Sequence, residues 1–155
     1  MLSKSKLWAP QKQIKQQPNK SDGMKTQEQL FKEAAELIRE LSQKCPDAKE
    51  HTFGFMKKDL VDEAIEARMA VDKKDWQELK EELGDVLWSW IDFCFVAEKE
   101  GKFTTQEVLE FLQEKIKRRN PHVFGNEKAD TIEEARNAKK KAKEQWKAEK
   151  NKVSQ

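Results

Sequence analysis

Apolar residues in this chain recur at intervals of three and four rather than two, a spacing that predicts helices throughout. Leu30, Ala34, Leu37, Ile38 and Leu41 form a first stripe, on a helix from near Thr26 to Lys44. Thr26 is its N-cap, with Gln29 three residues on, and Cys45-Pro46-Asp47 ends it. Ala48–Gly54 reads as a loop carrying His51. Met56, Leu60, Ala64, Ala67 and Val71 predict a second helix over about Phe55–Val71. A third runs from Trp76 to about Lys99, with Asp75 as N-cap and Glu78 closing a capping box. Leu79, Leu83, Val86, Leu87, Trp90, Ile91, Cys94 and Ala97 give it a wide apolar face, and Gly101 ends it. Thr104 or Thr105 starts a fourth helix, to about Arg118, with Val108, Leu109, Leu112 and Ile116 inside. A basic last helix spans about Thr131 to Lys150, with Trp146 as its only large apolar residue. The expectation is an all-α bundle of about five helices. Single stripes make a thin protomer, and Trp88, Trp90, Phe93 and Phe95 point several ways around the third helix. That helix should be buried on nearly all sides, which predicts a bundle completed by homodimerisation, with a tetramer also open.

Composition narrows the class. The 155 residues suggest one domain over 26–150, between a basic, disordered tail at 1–25 and a short tail at 151–155. Only 36% of the residues are hydrophobic, which suits a thin helical bundle, and 5 Gly with 4 Pro leave long uninterrupted stretches. Lys+Arg number 31 against 29 Asp+Glu, but the near balance hides segregation: residues 59–85 are acidic and both ends are basic. Cys45 and Cys94 form neither a zinc pattern nor a disulfide framework. The start lacks the apolar stretch of a secretory signal, and the longest apolar run, Val86–Ala97, is too short to span a bilayer. No membrane partner is expected, and the chain reads as cytoplasmic.

The acidic stretch holds two i,i+3 pairs, Glu63 with Glu66 and Glu82 with Asp85. Residues three apart share a helix face, so two adjacent helices would gather four carboxylates in one small volume. Such charges repel unless a cation sits among them, and a hard divalent ion such as Mg²⁺ prefers oxygen ligands. The pattern therefore points to a metal site and to phosphate chemistry. The plain alternative is a solvated face, since 39% of residues are charged. Gly84, mid-helix at a cost of about 1 kcal/mol against Ala, is read as close approach of a neighbour beside Asp85.

These residues resemble the MazG-type nucleotide pyrophosphohydrolases, an all-α family whose signature is Glu-x-x-Glu, a short helical hairpin, then Glu-x-x-Asp. Lys80-Glu81-Glu82-Leu83-Gly84-Asp85 is similar to the family's second metal block, and Lys117–Gly125 to its Arg-Arg-His-Pro-His-Val-Phe-Gly block. Cys45-Pro46-Asp47-Ala48-Lys49-Glu50-His51-Thr52 is similar to its Cys-Pro-Trp-Asp-x-x-Gln-Thr. The likeness covers roughly Thr26 to Lys150. The upstream tryptophan is missing, Asp62 stands where a glutamate is common, and Asn120 replaces a histidine. None of these departures removes a metal ligand.

The resemblance implies hydrolysis of a ribo- or deoxyribonucleoside triphosphate between its α and β phosphates, giving monophosphate and pyrophosphate. Glu63, Glu66, Glu82 and Asp85 would hold Mg²⁺, with Mn²⁺ as a substitute, and no Ser or Cys nucleophile is required. Asp62 could hold a further ion, accept the water's proton, or be an ordinary exposed acid. Lys80 could meet a phosphate or pair with a neighbouring carboxylate. Lys115 and Arg119, four apart, are implied to grip the β and γ phosphates. Trp146 and Lys150 are implied to close over the nucleotide, although Trp146 also fits packing at a bundle end. The partner implied is a nucleoside triphosphate, not nucleic acid. The alternative is a basic helical nucleic-acid-binding or adaptor protein without catalysis, resting on Lys139-Lys140-Lys141 and the Lys-rich tail.

Overall fold

The computed structural model describes residues 25–153, and the expected N-terminal tail lies almost wholly outside the described residues. Among the described residues every regular element is helical. Five long helices and two single turns follow in order: α1 (Gln27–Lys44), α2 (Pro46–Lys49), α3 (Phe53–Lys73), α4 (Trp76–Lys99), α5 (Thr105–Arg119), α6 (Pro121–Phe124) and α7 (Ile132–Val153).

Local chemistry sets most of the ends. Thr26 and Gln29 form the expected capping box on α1, and Thr104 with Glu107 form another on α5. Thr52 caps α3 by accepting from the Phe55 amide, so α3 begins at Phe53, two residues before the expected start at Phe55. Asp75 caps α4 by accepting from the amides of Gln77 and Glu78. The Glu78 side chain reaches Lys73 Nζ at 3.0 Å instead of closing the expected box. The α3–α4 turn is tight because Lys74 takes a left-handed conformation, φ 59°. Gly101, φ 63°, ends α4 as expected. Proline at the first position turns Cys45–Glu50 and Asn120–Gly125 into one-turn helices, α2 and α6, where the sequence suggested loops.

α3 and α4 form an antiparallel hairpin, and most of the buried apolar side chains lie along it: Met56, Ala67, Ala70, Ile91, Val96 and Ala97. Small residues at 67, 70 and 97 let the two backbones approach closely. α1 packs on α4 and α2, and among the described residues α7 packs only on α5 and α6. The chain is thus two layers, α1–α4 and α5–α7, joined through α4 and α5.

Several stripe residues are not covered. Leu37 of α1 is 67% exposed, and on α4 Leu83 is 56% and Trp88 47% exposed, so one chain alone does not enclose α4. The sequence reads Gly84 as close approach of a neighbouring helix or a ligand; a Cβ there would meet nothing within 4 Å, so no helix of the same chain makes that approach. Leu37, Ile38, Leu41, Gly84 and Trp88 instead line an apolar groove of about 410 Å³ between α1 and α4.

Candidate metal and nucleotide site

The α3–α4 hairpin decides which acids meet. Its tight turn sets the last turns of α3 beside the first turns of α4, so Glu63 and Glu66 face Glu82 and Asp85. One carboxylate oxygen each from Glu63, Glu66 and Glu82 lies within 4.8 Å of the others. Asp85 stands one turn on from Glu82 and shares with Glu63 the wall of an adjoining cavity of about 270 Å³. Asp59, His51, Ser89 and Asp92 line the same cavity, with Phe55 and Trp88 as aromatic walls. A larger hollow of about 600 Å³ lies beyond Asp92, against Arg39, Lys49 and Lys99, and is lined by none of the four paired acids.

Electrostatics follow from this crowding. Burial pushes the Glu63 carboxyl above its usual range, and the charges of Asp85, Glu66, Asp59 and Glu82 push the same way. Desolvation raises Glu82 as well, followed by the charges of Glu66 and Asp85. Lysines close by along the two helices are turned to other partners: Lys58 to Asp62, Lys73 to Glu78 and Lys80 to Gln77. Hard oxygen donors at this spacing, each making its neighbours harder to ionise, fit a divalent cation.

The remaining sequence-predicted residues fall outside this cluster. Asp62 pairs with Lys58 at 2.7 Å on the solvent side of α3. Lys80 Nζ donates to Gln77 Oε1 at 2.9 Å, neither to a carboxylate nor toward the acids. Lys115 lies half-buried on α5, one turn before Arg119. The Arg119 guanidinium sits 5.1 Å from the Trp146 ring centre, and its Nε is buried without a hydrogen bond. Lys150 Nζ lies 4.7 Å from the same ring and 4.5 Å from that of Phe111. Trp146 itself is 7% exposed and packs on Phe111 at 5.5 Å. Arg119, Trp146 and Lys150 therefore come together, but on the α5–α7 layer, which contacts neither α3 nor the acid-bearing face of α4 within one chain.

Sequence reasoning assigned none of His51, Asp59, Ser89 and Asp92, which also line the cavity, to the site. Asp92 is 4% exposed and accepts from Ser42 Oγ at 2.6 Å and from His51 Nδ1 at 2.7 Å. The signal was available: Asp85, Ser89 and Asp92 are spaced four and three apart, one polar face through an otherwise apolar run. Ser89 in turn donates to Asp59 Oδ2 at 2.5 Å, which ties the two helices together beside Glu63.

The fold is all-α, with a cluster of carboxylates on a helical hairpin as its candidate cation site. Residues 51–124 match the MazG nucleotide pyrophosphohydrolase domain. The Thermotoga maritima nucleoside triphosphate pyrophosphohydrolase/pyrophosphatase MazG is 36% identical over 99 residues, which are 63% of this chain and 39% of that protein. The Escherichia coli nucleoside triphosphate pyrophosphohydrolase is 31% identical over 97 residues, 63% of this chain and 37% of that protein. The chain thus spans well under half the length of these relatives. The crystal structure of a mazG-related protein from Thermotoga maritima superposes with a TM-score of 0.66 at 28% identity, covering 73% of this chain and 98% of that one. Among the described residues no helix is long and apolar enough to cross a membrane.

Proposed function

We propose that the protein is a Mg²⁺-dependent nucleoside triphosphate pyrophosphohydrolase, cleaving between the α and β phosphates to give monophosphate and pyrophosphate. The observation that carries this is the convergence of Glu63, Glu66 and Glu82 within 4.8 Å, with Asp85 beside them, at one end of a cavity walled by aromatic rings. The names of the relatives support it. Those four carboxylates would hold the metal, Mn²⁺ serving in its place. A divalent ion bound there supplies positive charge for the phosphates and lowers the pKa of water, so that hydroxide is available at neutral pH. The protein residues bind and orient: the acids fix the phosphate end, and the cavity takes the nucleoside. Asp59, held by Ser89 beside Glu63, keeps the helices in register. Arg119, with its unpaired buried Nε, and Lys115 are the groups suited to a phosphate chain, with Lys150 and Trp146 alongside.

The two layers do not bring those cations to the acids within one chain, and the apolar groove between α1 and α4 is open to solvent. We propose that a second copy covers that groove, as a dimer or within a tetramer, and supplies the missing juxtaposition. Sedimentation velocity tests the assembly; a monomer at micromolar concentration refutes it. Incubating the protein with a panel of ribo- and deoxyribonucleoside triphosphates, with and without Mg²⁺, tests the chemistry. Monophosphate and pyrophosphate are expected only with the metal. Orthophosphate as product, or turnover in EDTA, refutes the assignment.

A further inference from the structure

The cavity has a second end, and its chemistry is unused by the metal site. At that end Asp92 is 4% exposed, where an ionised carboxylate is costly and an apolar side chain would serve stability at least as well. Both its oxygens are committed, one to Ser42 and one to His51. A carboxylate only accepts, so the His51 proton is held on Nδ1 and the lone pair is left on Nε2. The imidazole plane is fixed as well, stacked on Phe55 with centroids 4.4 Å apart. The exposed Asp47 carboxylate stands 3.9 Å from Nε2, too far for a hydrogen bond. The result is a preset acceptor on the wall that also carries Glu63 and Asp85.

Asp92, which holds His51, is set apart from the nearest paired acid by a spacing on the scale of one part of a nucleotide. Asp92 lies seven residues beyond Asp85 on α4, about 10 Å at 1.5 Å per residue. That is comparable to the reach of a nucleoside from its 5′ phosphate to the far edge of its base, and exceeds the reach to the sugar hydroxyls. Resting on the function proposed above, we infer that His51 reads the base edge. Its Nε2 accepts from an exocyclic amino group, and Asp92 and Ser42 are positioning residues that set the tautomer. The site then favours cytosine over uracil and adenine over hypoxanthine, pairs that differ by amino against carbonyl at one position.

Asp92→Asn supplies a test that simple loss of structure cannot mimic. With Ser42 holding the amide oxygen, the amide nitrogen faces His51, Nδ1 becomes the acceptor and the proton moves to Nε2. The preference should then invert toward the carbonyl base. Titration calorimetry of CMP against UMP and AMP against IMP, with Mg²⁺, reads this without turnover. The unaltered protein should favour the amino partner by about tenfold in at least one pair. His51→Ala should level that pair while leaving ribose 5-phosphate binding unchanged, which keeps the test usable should Asp92→Asn fail to fold. Equal binding in every pair by the unaltered protein, no binding of any nucleotide, or an equal loss for both members of the preferred pair in Asp92→Asn would each overturn the inference. If base discrimination follows these variants but no triphosphate is hydrolysed, the proposed chemistry fails and the base reader stands. Hydrolysis without such discrimination overturns the base reader and leaves the chemistry in place.

Discussion

Glu63→Gln should make the metal-free protein more stable. Oxygens of Glu63, Glu66 and Glu82 lie within 4.8 Å of one another, and at that separation two unit charges repel by about 1 kcal/mol in a water-like dielectric. Glu63 is only partly buried, so we use that lower figure and expect relief of about 1–2 kcal/mol against its two neighbours. For a domain of this size that is a rise in melting temperature of roughly 4 °C. The sign with pH is fixed by the raised Glu63 carboxyl. Its cost is full above the folded pKa and vanishes once pH falls below the ordinary carboxylate value, so the two proteins should converge in acid. Metal should reverse the order. Mg²⁺ at a hundred times its dissociation constant stabilises the unaltered protein by about 2.7 kcal/mol, and the variant, short of a ligand, by much less. Thermal unfolding followed by circular dichroism, in EDTA and across a Mg²⁺ titration, gives both halves. A variant less stable than its parent in EDTA, or equal shifts of both proteins by Mg²⁺, would refute the reading of these acids as an electrostatically strained cation site.

The other expectations concern how the two layers are held. Burial opposes ionisation of Glu98, but hydrogen bonds from Thr105 and Arg39 outweigh it and keep its carboxyl below the usual value. Its stabilisation of the α4–α5 junction is therefore present above the ordinary carboxylate pKa and lost as pH falls through the lowered one. Melting curves of the parent and Glu98→Gln should approach each other in acid, and a constant gap contradicts this. Trp146→Ala removes the ring between Phe111, Arg119 and Lys150 and should cost about 3–5 kcal/mol, seen as faster amide exchange along α7; a loss under about 1 kcal/mol would mean α7 is held by something else. Gly125→Ala would bring a Cβ within 2.9 Å of the Pro121 carbonyl, so the α6 turn must shift at about 1–3 kcal/mol; an unchanged melting temperature would show that the turn gives freely.

Helix positions were legible because their signals are local. Period, caps and terminal glycine are all written within a few residues, and α4 begins and ends at Trp76 and Lys99 as the pattern predicts. Boundaries moved only where a second local signal competed, as at Thr52, whose hydroxyl starts α3 ahead of the apolar stripe. The pairing of Glu63 and Glu66 with Glu82 was legible for the same reason, since a short turn between two helices leaves little freedom in their register. The polar face that carries Asp92 was legible too, but its burial was not, because that depends on partners far along the chain: Ser42 lies 50 residues away and His51 lies 41 away.

Apolar stripes carry a different kind of information. Leu37, Leu83 and Trp88 are spaced as core residues yet exposed in the single chain, and they flank the face of α4 that lies next to the acids. The cations proposed to grip the phosphates lie on the other layer, with Arg119 Nε buried and unpaired. A stripe states only that a face is to be covered; the covering element is not written into its period. Here the uncovered face and the separation of charge meet in one requirement, because a body that seats on α1 and α4 can also carry a basic layer toward the carboxylates. A second copy of this chain has both an apolar stripe to match and a basic layer to bring. That is why assembly and turnover should fail together: Leu37→Glu, on α1 and not part of the lining of the acidic cavity, should yield a folded monomer that binds Mg²⁺ but turns over no triphosphate, and a fully active monomer would break the link.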